Sequence, residues 1–179
     1  MMKDPTNDAN GRPPWFVRRE IQPFTLSADL VERIVNDASH AVVSWVTRDN
    51  EPVQAVMLYV VIDDLLTVTS TTNRAKYHAW KRNPSASFCI WEPGEIGRQV
   101  TLRGRVEITR DADLLHRFVD GYLTRARGGR PPHPDRLRAE IETFDAPDRH
   151  MMQLHVDKIV SHDLPRLMQV EQDGTDVWG

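Results

Sequence analysis

The sequence lacks most of what would place it outside the cell or in a membrane. It has one cysteine, Cys89, in 179 residues, which excludes an intrachain disulfide framework and leaves a hydrophobic core to hold the fold. That usage suits a reducing compartment, and a cytoplasmic location is the expectation. No apolar run approaches the ~20 residues of a membrane-spanning helix, and the polar start from Met1 to Pro14 has no apolar stretch that could act as a signal peptide. Excess positive charge is also missing. Against 26 Asp and Glu stand 23 Lys and Arg, for a net charge of −3, so no global field draws nucleic acid or an anionic membrane. Any anion site has to be built locally. The seven histidines (His40, His78, His116, His133, His150, His155 and His162) lack the i,i+2 or i,i+4 pairing expected of ligands, so no metal site is expected.

What is present is a pattern of short strands with helices between them. Leu30, Ile34 and Ala38 recur four apart behind Ser27, a helix with its N-cap. Ala41 to Thr47 reads as a strand. Val53 to Ile62 is apolar on both faces and reads as a central strand buried on both sides, with Gln54 its polar interruption. Asp63-Asp64 turns the chain into a strand from Leu65 to Ser70. Asn73 to Arg82 has helical spacing and ends at Asn83-Pro84. Strands follow at Ser85 to Trp91 and, after the loop from Glu92 to Gly97, at Gln99 to Thr109. There Val100, Leu102, Val106 and Ile108 alternate with Gln99, Thr101, Arg103, Arg105 and Glu107. An amphipathic helix spans Asp111 to Arg125, a Gly/Pro loop precedes a second helix at Asp135 to Phe144, and a last strand runs from His150 to about Ser161. Six strands joined mostly by short turns fit an antiparallel barrel better than a parallel α/β sheet.

One segment carries chemistry. Thr69-Ser70-Thr71-Thr72 leaves a strand and enters a basic helix through Arg74 and Lys76. Backbone N–H groups at a helix start, hydroxyl donors and two full charges suit a phosphate. A capped turn with solvated cations has the same composition, and composition alone favours it. Cys89 reads as a small packing residue in a strand, and Arg125, Arg127, Arg130, Arg136 and Arg138 as a solvated basic surface or as contacts to an acidic cofactor tail. Trp45, Trp80 and Trp91 fall in the barrel region and either pack or border a planar ligand.

In order and spacing, Pro52-Val53-Gln54-Ala55-Val56-Met57, Thr69-Ser70, Arg74-Ala75-Lys76, Arg82-Asn83-Pro84 and Val100-Thr101-Leu102-Arg103-Gly104 resemble the flavin-binding split-barrel family. That family contains pyridoxamine 5'-phosphate oxidase and the deazaflavin-dependent reductases. The resemblance covers roughly Ala41 to Ser161 and implies a six-stranded antiparallel split β-barrel; the expected organisation is a flexible leader at 1–24, a cofactor-binding domain at 25–165 and a C-terminal tail at 166–179. It further implies a homodimer with cofactor sites at the interface and a small-molecule substrate. Gln54, Ala55, Val56 and Met57 would line the isoalloxazine ring; Thr69, Ser70, Arg74 and Lys76 would bind the phosphate; Gln99 and Thr101 would approach from a neighbouring strand or subunit. The ring strand lacks the Arg and Lys with which the oxidase surrounds its ring, whereas Arg74-Ala75-Lys76 and Arg82-Asn83-Pro84 look closer to the coenzyme F-420 reductases. The implied function is hydride transfer to a small organic acceptor with coenzyme F-420 or FMN, or non-catalytic binding of flavin, haem or bilin. No catalytic acid or base stands out, because the ring of such a cofactor supplies the reactive atom.

Overall fold

The structure, a computed structural model, describes residues 24–172. All of the expected leader except Phe24, and residues 173–179 of the expected tail, lie outside them. In chain order the elements are α1 (Ala28–Asp37), β1 (His40–Val46), β2 (Pro52–Leu58), β3 (Val60–Ile62), β4 (Leu65–Thr71) and α2 (Ala75–Arg82). There follow β5 (Ser85–Glu92), β6 (Glu95–Thr109), α3 (Ala112–Ala126), α4 (Pro134–Phe144), β7 (Arg149–Asp163) and α5 (Leu164–Gln172). Ser27 and Asp111 cap α1 and α3 through their side-chain oxygens, which accept the N–H groups of Leu30 and Leu114. No helix among the described residues is long and apolar enough to cross a membrane.

All seven strands form one antiparallel sheet in the order β2-β1-β5-β6-β7-β4-β3. Its two edge strands, β2 and β3, are separated in the chain by Tyr59 alone. Leu58 pairs with His40 of β1, while Val60 pairs with Thr67 of β4. The sheet therefore curls until its edges meet at Tyr59, as a split barrel requires. The expected six strands become seven because the segment from Val53 to Ile62 divides there.

That segment is also not the doubly buried central strand its composition implied. β2 is an edge strand on which Gln54 is exposed and Val56 is 63% exposed. Its apolar character arises from different neighbours on its two halves. Val53, Ala55 and Met57 pack on the barrel core, whereas Val60 and Ile62 pack on the opposite face against α3 residues such as Phe118 and Val119. The break is anchored: the Tyr59 hydroxyl donates to the Val35 carbonyl at 2.6 Å, and Arg125 donates to the Tyr59 carbonyl at 2.8 Å.

The barrel interior is filled by Val43, Trp80, Phe88, Ile90, Val100 and Leu154, all at most 1% exposed. β6 starts at Glu95, four residues before the expected strand, because the hairpin turn is confined to Pro93 and Gly94. The β3–β4 turn puts both Asp63 and Asp64 at positive φ, the primed geometry that matches strand twist. Opposite the irregularity in the β6–β7 ladder, Gly104 is needed for close approach: a Cβ there would lie 1.9 Å from the His155 carbonyl oxygen. Residues 166–172 of the expected tail belong to α5, whose first turn is capped by Asp163 accepting the Arg166 N–H at 3.2 Å.

Candidate functional site

The end of β4 and the start of α2 build a cavity of about 320 Å³ lined by Thr69, Ser70, Thr71, Arg74, Lys76 and Arg149. Four of these are the residues expected to hold a phosphate. The register brings Arg149 there, since it pairs directly with Thr71, and cross-strand partners point to one face. β7 also steadies the loop. The Thr72 N–H donates to the Asp148 carbonyl at 2.9 Å, and the Thr69 hydroxyl donates to the His150 carbonyl at 3.0 Å.

No carboxylate lines this cavity, so three cations face it without a counter-charge on its walls. Burial, and secondarily the Arg74 charge, lower the pKa of the Lys76 amine below its ordinary value. Burial likewise lowers that of Arg149, whose guanidinium lies 4.6 Å from the Phe144 ring centroid and whose Nε is buried without a hydrogen-bond partner. Arg74 occupies the N-cap of α2 and provides no side-chain cap, where an oxygen-bearing side chain is usual. A cavity that gathers cations, hydroxyls and an uncapped helix start, and has no carboxylate in its lining, is complementary to an oxyanion such as phosphate.

The other expected residues do not line this cavity. The ladders place Val56, Val42, Cys89, Thr101 and Val160 in one row across the sheet, Gln54, Ser44, Ser87 and Arg103 in the next, and Trp91, Gln99 and His162 in a third. Gln54, Val56, Gln99 and Thr101 therefore share the outer face of the barrel, whereas Ala55 and Met57 pack on the core. Gln99 Nε2 donates to the Ile96 carbonyl at 3.1 Å, and its Oε1 lies 3.9 Å from the Cys89 sulfur. Trp45 and Trp80 are core residues in edge contact at 6.1 Å, while Trp91 is half-buried on the outer face.

None of the five arginines from Arg125 to Arg138 lines the cavity. Arg125 holds Tyr59, Arg136 pairs with Glu140 at 2.6 Å and Arg138 with Asp135 at 3.6 Å. Sequence reasoning missed Arg149. Its only mark was its place one residue before the expected last strand, and its role follows from which strand pairs with β4.

The family model for pyridoxamine 5'-phosphate oxidase matches residues 26–163. Among solved structures, the conserved hypothetical protein Rv2991 from Mycobacterium tuberculosis is similar with a TM-score of 0.70 at 21% identity, over 84% of this chain and 91% of that one. An F420 reductase is similar with a TM-score of 0.52 at 21% identity, over 72% of this chain and 94% of that one. A heme binding protein from Mycobacterium smegmatis has a TM-score of 0.51 at 18% identity, over 74% of this chain and 56% of its own. No curated protein matches the chain. The structural neighbours share the fold and differ in the ligands their names carry. Since the family match spans nearly the whole barrel, from Leu26 to Asp163, the chain belongs to the pyridoxamine 5'-phosphate oxidase family.

Proposed function

We propose that the chain binds a phosphorylated flavin-type cofactor, coenzyme F-420 in preference to FMN, and acts in the cytoplasm as an oxidoreductase on a small organic acceptor. The observation that carries this reading is the cavity of three hydroxyl-bearing side chains and three cations with no carboxylate on its walls. Thr69, Ser70, Arg74, Lys76 and Arg149 would hold the phosphate. When bound, such a cofactor supplies the ring atom that gives or accepts hydride, and the protein supplies orientation and dry walls.

The remaining expected contacts require a second copy of the chain. Gln54, Val56, Gln99 and Thr101 share an outer sheet face on which Val56 is 63% exposed. A partner packed there would bury that row and bring it to the ring end of its own cofactor, with the phosphate end held by the cavity. The structural neighbour named as a heme binding protein supports a second reading, tight ligand binding without turnover.

Titration of the protein with coenzyme F-420, FMN and haemin, followed by acceptor-dependent oxidation of the reduced coenzyme, separates these readings. Binding of F-420 with turnover is the expected result. FMN-only binding moves the assignment to FMN, and haemin binding without any acceptor reduction supports the non-catalytic reading. Failure of both phosphorylated cofactors to bind removes the proposal.

A further inference from the structure

A groove of about 610 Å³ opens between α1 and the inner face of the barrel, and it shares no residue with the anion cavity. A local irregularity in β7 makes room for it. Lys158 pairs with Arg103 and Val156 with Gly104, so Asp157 is an extra residue in the strand, and a bulge of this kind bends the strand that carries it. It also sets Val156 and Ile159, three residues apart, on the inner face opposite Gly104 and Leu102. Elsewhere on that face Val100, Leu102, Val106 and Leu154 are at most 5% exposed, whereas Val156 is 37% and Ile159 53% exposed. Leu66 and Leu102 of the sheet and Val31 and Val35 of α1 complete an apolar bed beneath them.

The charge in this groove is of one sign. Of the residues that line it, only Glu32 of α1 and Asp64 of the β3–β4 turn are ionisable, and neither forms an ion pair among the described residues. Both are exposed, and Asp64 is held in the turn at a φ of 61°. Within the groove the Leu26 N–H donates to the Ser161 hydroxyl at 3.1 Å, so neither is left buried and unpaired. Water occupies about 30 Å³ per molecule in the liquid, so the groove has room for a small organic molecule. An apolar bed with two unpaired carboxylates and no cation disfavours phosphates and carboxylates, and it fits a molecule with an apolar body and a positive head.

We propose that this groove is a second ligand site, for an alkyl or aryl ammonium whose apolar body lies along Leu102, Val156 and Ile159 and whose head is held by Glu32 and Asp64. The site is independent of the anion cavity and of whatever occupies it.

Calorimetric titration of the full chain with octylammonium, octanol and octanoate, which share one apolar body and differ in head-group charge, tests the assignment. The wild type should bind octylammonium about three- to tenfold more tightly than octanol, and octanoate more weakly than either. Glu32→Gln combined with Asp64→Asn should bring octylammonium to within about twofold of octanol and leave octanol binding as it was. Ile159→Asn should weaken all three by about fivefold. These three side chains are exposed, so unchanged melting temperatures are expected. Equal binding of the three ligands, an unaltered preference in the double variant, or no binding to the full chain overturns the proposal. If Ile159→Asn instead dissociates a dimer or opens Arg18 and Arg19 to trypsin, the occupant is a second copy or the chain's own N-terminal segment, which overturns it as well.

Discussion

Replacing Lys76 by Met should move ligand-free stability and ligand affinity in opposite directions. In the ligand-free protein the amine is half-buried and faces Arg74, and both influences lower its pKa, burial being the larger. The charged form is thus disfavoured by folding, and the penalty is present at every pH below the depressed folded value. With so much of the side chain in solvent, screening limits this penalty to less than about 1 kcal/mol. Methionine keeps the apolar stem and removes the charge, so the ligand-free melting temperature should rise by about 1–3 °C for a chain of this size. Binding has the opposite sign. A charge-assisted contact contributes about 1.5–3 kcal/mol, and partial exposure places Lys76 at the lower end, so F-420 affinity should fall about tenfold. The assay pairs thermal melts without ligand with fluorescence titration. A melting temperature that falls together with affinity would show that Lys76 supports the fold, and the reading of the cavity as an anion grip would lose its main support.

The same residue sets a pH dependence. Anion binding stabilises the charged amine and raises its pKa, so affinity should decline as pH rises through the depressed ligand-free value toward 10.5, and calorimetry in two buffers there should record proton uptake on binding. Gly104→Ala would drive a methyl into the His155 carbonyl, a backbone contact that cannot rotate away, and should lower stability by about 3 kcal/mol or more in urea denaturation. Val56→Glu places a charge on the exposed outer face at the edge strand β2, and light scattering at micromolar concentration should show a dimer for the wild type and a monomer for the variant, with weaker cofactor binding.

Most elements could be read from the sequence where local rules decided them. The strict alternation of Val100, Leu102 and Val106 against Thr101, Arg103 and Arg105 is reproduced in their burial, and Ser27 and Asp111 cap the helices they precede. The segment from Val53 to Ile62 was misread because an apolar run does not reveal how many surfaces share it: two half-strands at opposite sheet edges, packed on opposite faces, give the same composition as one doubly buried strand. α5 crosses the boundary expected for the C-terminal tail, and Pro165 sits in its first turn, where proline is tolerated and Asp163 supplies the cap. At the site, the contiguous stretch from Thr69 to Lys76 was legible because its donors are neighbours in sequence. Arg149 was not, because β7 reaches β4 only through a pairing between strands that lie far apart in the chain.

That contrast bears on how a single chain divides the work of holding a cofactor. The anion cavity is complete within one protomer: β4, α2 and β7 supply its walls, and its strand ends are fixed by the bonds from Thr72 to Asp148 and from Thr69 to His150. The outer row of Gln54, Val56, Gln99 and Thr101 belongs to other strands and does not line that cavity. A site divided in this way separates affinity from chemistry. In the proposed arrangement, charge-assisted contacts at the phosphate would fix the ligand to its own protomer, while the surroundings of the ring would depend on what packs against the outer face. Substitutions in the grip should therefore change affinity for every phosphorylated ligand that fits, and substitutions on the outer face should change turnover and oligomeric state together. A variant that lost the dimer yet kept full turnover would break this link and require the ring to lie wholly within one chain.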